Sequence, residues 1–467
     1  MSRQLTINPV TRIEGHAKVH IEIGDDGKVG AATLHVLEFR GFERFVQGMQ
    51  AELMPTLTTR ICGTCPHAHH LVSAKCLDAM FSAPPPKAAL LLRQLLNCGS
   101  MIHSHAIHFF ALAGPDLFLG QSSPVQKRNL VGLLEAAPEL AKKALRLRSI
   151  GQTIVEIVGG RGTHPVTAVA GGMSFALTAQ NHDTLKALAA EALELAQVVL
   201  IAGKKALLKD PELLTRLPLA TSDMGTLQGK TLDLYDGKLR VRRPDGSVAL
   251  DFAATDYATH LVEEALPHSY GKQVLLKDAS GATQPYRVGP LARLNCAEAT
   301  GTKLADAALA EFKTACGNPS RQIVAGHWAR LVELLHCAEK AVDMLQDEAI
   351  RSPEVRTAPG AINRHVVAHV EAPRGVLIHD YHVDQNALIE SANFVVATQH
   401  NIASINTTIK NAATLLLDKS DAELLDGVEF AIRCYDPCLS CSTHRVGQMP
   451  MEINVWQGGR TIRTARR

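Results

Sequence analysis

Two Cys-x-x-Cys motifs constrain this chain more than anything else in it: Cys62 and Cys65 near the start, Cys438 and Cys441 near the finish. A thiolate is a soft donor suited to zinc, iron–sulfur clusters, nickel or copper(I). The tight spacing lets both sulfurs of a pair reach one ion, so the pairs together offer four sulfurs to a single centre. Using them together brings the opening and closing thirds of a 467-residue polypeptide into contact. A structural zinc site with four cysteine ligands is a common fate of such pairs. Those sites are usually local, in modules with too little core, whereas this chain is 46% hydrophobic and long enough to bury a large one. An iron–sulfur cluster is a second alternative, with Pro66 directly after Cys65. Spacing alone leaves zinc and a redox metal open.

The other cysteines, Cys76, Cys98, Cys296, Cys316, Cys337 and Cys434, lie mostly singly in helical-looking sequence. A chain this long needs no disulfides, so the pairs read as metal or redox chemistry in a reducing compartment. Cys76 and Cys434 read as small buried side chains. Lysine and arginine total 48 against 46 acidic residues, a net charge of +2 that gives no reason to expect nucleic acid or a membrane surface as partner. The N-terminus lacks the apolar core of a signal peptide. The most apolar stretch, 88–114, is interrupted by Arg93, His103, His105 and His108, so it reads as buried helix and not as a membrane span. The expected location is the cytoplasm, export with a signal-bearing partner remaining open.

Aromatics make up only 4% while alanine and leucine abound, which favours helix. Residues 4–37 alternate apolar and polar around Gly24, Asp25, Asp26 and Gly27, a hairpin signature. Short helix is expected over 41–48 and 69–81, then long helices over 87–113, 124–158, 179–206, 302–315, 320–350 and 399–417. Residues 225–252 read as short strands, and 352–386 as irregular structure with short strands. The expected fold is mainly α with small β regions (α+β): a bundle of long helices, an N-terminal hairpin, and termini converging on the metal site. Residues 1–444 read as one interdigitated domain.

The first pair sits in Arg60-Ile61-Cys62-Gly63-Thr64-Cys65-Pro66-His67-Ala68-His69-His70, and the second in Asp436-Pro437-Cys438-Leu439-Ser440-Cys441-Ser442-Thr443-His444. These resemble the two signatures of nickel–iron hydrogenase large subunits, RxCGxCxxxH and DPCxxCxxH. The likeness continues through Arg12-Ile13-Glu14-Gly15-His16, Arg40-Gly41-Phe42-Glu43, Gly160-Arg161-Gly162-Thr163-His164-Pro165, the segment 288–293 and Ala372-Pro373-Arg374-Gly375, and so covers the chain end to end.

That resemblance implies reversible heterolytic cleavage of dihydrogen. All four thiolates would bind nickel, Cys62 and Cys438 as terminal ligands and Cys65 and Cys441 bridging to an iron that bears carbon monoxide and cyanide. Heterolysis needs a Lewis acid with a base beside it. The resemblance casts Cys438 as that base and Glu14 as the carboxylate that passes the proton outward. Arg374 and Thr398 would donate to cyanide, with Asp436 orienting Arg374. Glu43, His444 and the backbone carbonyl of Phe394 would hold magnesium (or iron) at a second site. The neighbouring histidines His67, His69, His70, His103, His105, His108 and His164 read as second-layer hydrogen-bonding or core residues.

Residues 445–467 match an extension removed by a maturation protease after nickel-insertion proteins have loaded the site. No further Cys-x-x-Cys set is present for an electron relay, hence no iron–sulfur cluster in this chain; a small iron–sulfur subunit is implied. The likeness is to the cytoplasmic, bidirectional group, whose further electron-transfer subunits are of flavoprotein or heterodisulfide reductase type. The competing reading is a metal-free quinone-site subunit of a respiratory-complex-like assembly, against which the four retained cysteines speak.

Overall fold

The alternating N-terminus folds as a three-stranded antiparallel meander, β1 (Arg3–Ile7), β2 (Ala17–Ile23) and β3 (Val29–Val36). The expected hairpin is β2–β3. Its turn closes where foreseen, the Gly27 amide donating to the Gly24 carbonyl at 2.9 Å. The computed structural model describes residues 3–278, 280–443, 452–457 and 460–466.

The longer helices are α1 (Pro66–Met80), α2 (Lys87–Ile107), α3 (Pro138–Gly159), α4 (Ala179–Leu208), α5 (Lys303–Cys316), α6 (Ala325–Gln346), α7 (Ala397–Leu415) and α8 (Asp421–Arg433). Their starts follow local chemistry. Pro66 and Pro138 stand in the first turns of α1 and α3, where a missing N–H costs nothing. Thr178 caps α4 by accepting from the Asn181 amide. Helices α2, α3, α4 and α6 form the expected bundle. Where α2 meets α3 the backbones nearly touch: a Cβ on Gly151 would stand 2.6 Å from the His103 nitrogen and 2.7 Å from the Gly99 carbonyl. One apolar core runs through the bundle, α1 and the meander.

The helix expected over 124–158 is split, since Ala137 before Pro138 leaves helical geometry and separates Leu130–Ala136 from α3. The segment 41–48 holds one turn, Phe42–Phe45, flanked by Gly41 and Gly48 at positive φ. Beyond α2 the apolar run continues as a π-helical turn, His108–Ala113, and one α turn, Gly114–Phe118.

Strands β4 (Ser222–Gln228), β5 (Lys238–Arg242) and β6 (Val248–Phe252) form a sheet with two short strands, and β7 (Leu261–Ala265) pairs with β8 (Lys272–Lys277). The region read as irregular with short strands, 352–386, holds two longer ones, β9 (His365–Ala372) and β10 (Gly375–Val383), which join β11 (Ile389–Val395) in an antiparallel sheet. Both strands are buried on two faces over much of their length, which erases the alternation that marks a half-exposed strand. A smaller core, including Met224, Val241, Val274, Tyr286, Val376 and Ile378, joins these sheets. The whole is about 49% helix and 20% strand, the expected mixed class. Strands Glu452–Gln457 and Arg460–Arg466 pair as an antiparallel hairpin. Among the described residues no helix is long and apolar enough to cross a membrane.

Candidate metal centre

The first cysteine pair bridges a 3-10 turn, Thr58–Ile61, and the start of α1, with Cys65 at its N-cap. Unpaired amides and the helix dipole there favour a thiolate. The second pair follows α8: the chain turns sharply at Asp436 (φ 55°) and closes over Ser440–Ser442. The ends of the chain therefore meet. Cys62 Sγ lies 3.3 Å from Cys438 Sγ, Cys65 Sγ 3.2 Å from Cys441 Sγ, and Cys438 Sγ 3.1 Å from Cys441 Sγ. All four sulfurs are buried and lie within 4.8 Å of one another.

Burial works against charge in this cluster, but hydrogen bonds from Cys438, Cys441, Cys65 and the Thr64 hydroxyl outweigh it at Cys62 and hold that thiol well below its ordinary range. The amides of Thr64 and Cys65 add donors at 3.3 Å each. Burial pushes Cys438 and Cys441 well up. Cys65, drawn down by Cys438 and Cys441, is carried up overall by Cys62 and burial. Four thiolates in this space therefore require a cationic centre among them.

The surroundings say which kind. Beside the sulfurs is a small cavity lined by Cys65, Cys438, Cys441, His69, Arg374 and Thr398. Nη1 of Arg374 is buried there with no hydrogen-bond partner among the described residues. Its Nε donates to the Asp436 carbonyl at 2.7 Å and its Nη2 to Asp436 Oδ1 at 2.9 Å. Thr398, in the first turn of α7, accepts from the Cys438 amide at 2.9 Å, leaving its own proton to turn elsewhere. A tetrahedral zinc ion would be complete with four sulfurs and would need neither cavity nor spare donors. A second metal carrying anionic or polar ligands fits both.

Arg374 occupies the two-residue turn between β9 and β10. Beneath it, Arg293 donates to the carbonyls of Ala372 (2.9 Å) and Pro373 (3.2 Å) and to the carboxylates of Glu371 and Glu333. Burial opposes ionisation of Asp436, yet Arg374 and His108 outweigh it and hold the carboxyl below the usual range. His108 reaches Asp436 Oδ1 at 2.9 Å from the π-helical turn.

Glu14 joins the other end of the chain to this centre. Its backbone forms a parallel bridge with Cys438, and its carbonyl accepts from the Leu439 amide at 3.2 Å. The carboxylate takes the Ser440 amide at 3.0 Å and the Ser440 hydroxyl. Gly15 (φ 80°) permits the approach, since a Cβ there would stand 2.8 Å from Leu439 Cβ. Arg12 turns away from Glu14 to Asp116, at 2.6 Å.

A family pattern described as "Nickel-dependent hydrogenase" matches residues 40–119 and 260–444, and one described as "HoxL-like" matches 4–39. The chain belongs to the nickel-dependent hydrogenase family. It is 39% identical to a chain of the vhc F420-non-reducing hydrogenase of Methanococcus voltae, covering 99% of both. It is 36% identical to the beta chain of the NAD-reducing hydrogenase HoxS of Cupriavidus necator, again over 99% of both. Among solved structures, an NAD+-reducing [NiFe]-hydrogenase in the H2-reduced state superposes with a TM-score of 0.91 at 38% identity, covering 95% of this chain and 99% of that one. The Ni-Fe-Se hydrogenase of D. vulgaris Hildenborough shares the fold, with a TM-score of 0.79 at 22% identity over 95% of this chain and all of that one. This hydrogenase subunit is thus catalytic, an oxidoreductase acting on hydrogen, and its four cysteines are the seat of a nickel–iron centre.

Glu43 and Phe394, expected together at a second metal site, are in contact. Glu43 Oε1 accepts from the Phe394 amide N–H, not its carbonyl, at 3.1 Å and from Lys272 Nζ at 3.1 Å. His444 lies outside the described residues. The remaining histidines behave as the sequence suggests. His70 spans the Pro55 carbonyl and the Ala168 amide, His67 meets Ser100, His105 meets Glu333 and His164 the Thr59 carbonyl. Cys76 and Cys434 are buried thiols donating to backbone carbonyls. His69 is more telling: its Nε2 lies 3.5 Å from Cys441 Sγ, and its Nδ1 meets His379, which in turn meets Tyr381. Sequence reasoning missed His379, Tyr381, Arg293, Glu333, Lys272 and Ser440. The alternation of His379 and Tyr381 was one available signal; Arg293 and Ser440 stood inside matched segments without a role of their own, and Glu333 and Lys272 have no signal before long-range packing is known.

Proposed function

We propose that Cys62 and Cys438 serve as terminal nickel ligands while Cys65 and Cys441 bridge to an iron whose carbon monoxide and cyanide ligands face Arg374 and Thr398. The supporting observation is the buried, unpaired Nη1 of Arg374 lining the cavity beside the four sulfurs. When bound, the nickel–iron pair supplies the Lewis acidity that polarises dihydrogen. Cys438 Sγ would take the proton, as the sulfur that Glu14 reaches through its backbone bridge. The Glu14 carboxylate, tied to the same segment through Ser440, carries that proton away from the cluster. Asp436 holds Arg374 in place, and the surrounding core excludes water.

Further elements of the reading rest on motif and relatives. One oxygen of Glu43 is engaged by Lys272; the other would serve magnesium or iron, with the Phe394 carbonyl and His444 completing the set. Electrons leave to a small iron–sulfur subunit, then through flavoprotein or heterodisulfide-reductase-type subunits, in the cytoplasm. Residues 445–467 are the extension that a maturation protease removes once nickel-insertion proteins have acted. The test is Cys438→Ala in the purified complex. Dihydrogen oxidation should vanish and nickel per chain should fall; wild-type activity with full nickel would refute the ligand assignment.

A further inference from the structure

Apart from the sulfur cluster, one other set of metal-ligating side chains converges among the described residues: His365, Asp380 and His382. His365 on β9 is the direct cross-strand partner of His382 on β10, and Asp380 precedes His382 by two residues on the same strand face. His365 Nε2 lies 2.9 Å and His382 Nε2 3.8 Å from one atom, Asp380 Oδ1. Donors around a tetrahedral ion with bonds of about 2.0–2.1 Å stand roughly 3.3 Å apart, between those two spacings.

The local electrostatics point the same way. The imidazoles stack with centroids 3.9 Å apart and planes 10° from parallel. The second oxygen of Asp380 accepts from the Tyr257 hydroxyl at 2.9 Å, the outer hydrogen bond that orients a ligating carboxylate. An adjoining surface cavity is lined by Glu43, Glu263, Asp380 and His382 with Tyr257 and Lys272. Three carboxylates against one ammonium favour a cation there.

We propose that His365, Asp380 and His382 bind one divalent ion of the imidazole-preferring class, such as zinc, at a surface site separate from the sulfur cluster. Two ring nitrogens and one carboxylate oxygen leave a position open to water. Both rings are about half exposed (side chains 53% and 49%), so they turn about χ2 onto an ion without disturbing the strands.

The experiment titrates the purified holoenzyme complex with zinc by calorimetry and with cobalt(II) by visible absorption. Wild type should bind one more zinc ion per chain than the double variant His365→Gln/His382→Gln, with dihydrogen oxidation in the absence of added zinc equal in both. Cobalt should develop ligand-field bands in wild type that the double variant lacks. Tyr257→Phe should weaken this zinc site about tenfold. Equal zinc stoichiometry and affinity in wild type and the double variant overturns the site. Unchanged affinity in Tyr257→Phe removes Asp380 from the ligand set and overturns it as stated.

Discussion

Glu14 and Ser440 are joined twice, through a backbone amide and through a hydroxyl, and this double contact fixes where the carboxylate can deliver a proton. Glutamine in place of Glu14 keeps an acceptor for the amide but loses the exchangeable carboxyl proton. Glu14→Gln should therefore leave nickel content near wild type while lowering turnover and hydrogen-isotope exchange about 100-fold or more, the usual scale of a lost proton-transfer group. Normal exchange in that variant would take Glu14 out of the relay. Arg374 is constrained in a different way: two of its nitrogens are committed to Asp436, and only the third remains for a ligand in the cavity. A lysine could not reproduce that division of labour, because it lacks the planar fork.

Helix α6 and the β9–β10 turn are coupled through a buried charged chain, His105–Glu333–Arg293–Glu371. Burial raises the pKa of Glu333, but Arg293 and His105 overcome that and bring it to about 2, below its ordinary 4.5. A depressed carboxylate contributes stability that is fully present above the unfolded value and is lost as pH falls from about 4.5 towards 2. His105, held by burial at about 4, acts in the same sense, because it too must take up a proton on acidification. Melting temperatures followed from pH 7 to pH 3 should fall steeply in wild type. Glu333→Gln should be destabilised by about 3–5 kcal/mol at neutral pH and show a shallower acid limb. Parallel acid limbs would mean that Glu333 does not titrate in this way. The sequence marked Arg293 only as the end of the matched segment 288–293, and Glu333 looks like an ordinary helix charge until packing removes its water. Helix α8 was a different omission: Ser420 and Glu423 form a capping box that marks its start, a signal legible from residues alone. Strands were foreseen within 352–386, but the length and bounds of β9 and β10 were not, because double burial conceals the period of two.

Across the whole molecule, the convergence of both ends was legible because chemistry demanded it, while the cavity, the Glu14–Cys438 bridge and the His365–His382 pairing depend on register between distant segments. Residues 452–457 and 460–466 pair with each other just beyond the last cysteines. If this hairpin belongs to a maturation extension, intact-mass measurement of the active complex should give a large subunit ending at His444, and the nickel-free form should retain all 467 residues. An active, nickel-loaded chain of full length would contradict that processing. Because Glu14 pairs with Cys438, the pocket has no second wall until Cys438 itself has been translated. A nascent chain still on the ribosome offers Cys62 and Cys65 alone, two thiols that any passing thiophilic ion can occupy. Four-sulfur binding therefore waits for Cys438 and Cys441 to be made, so the order of synthesis keeps the cluster incomplete until both strands of the Glu14–Cys438 bridge exist.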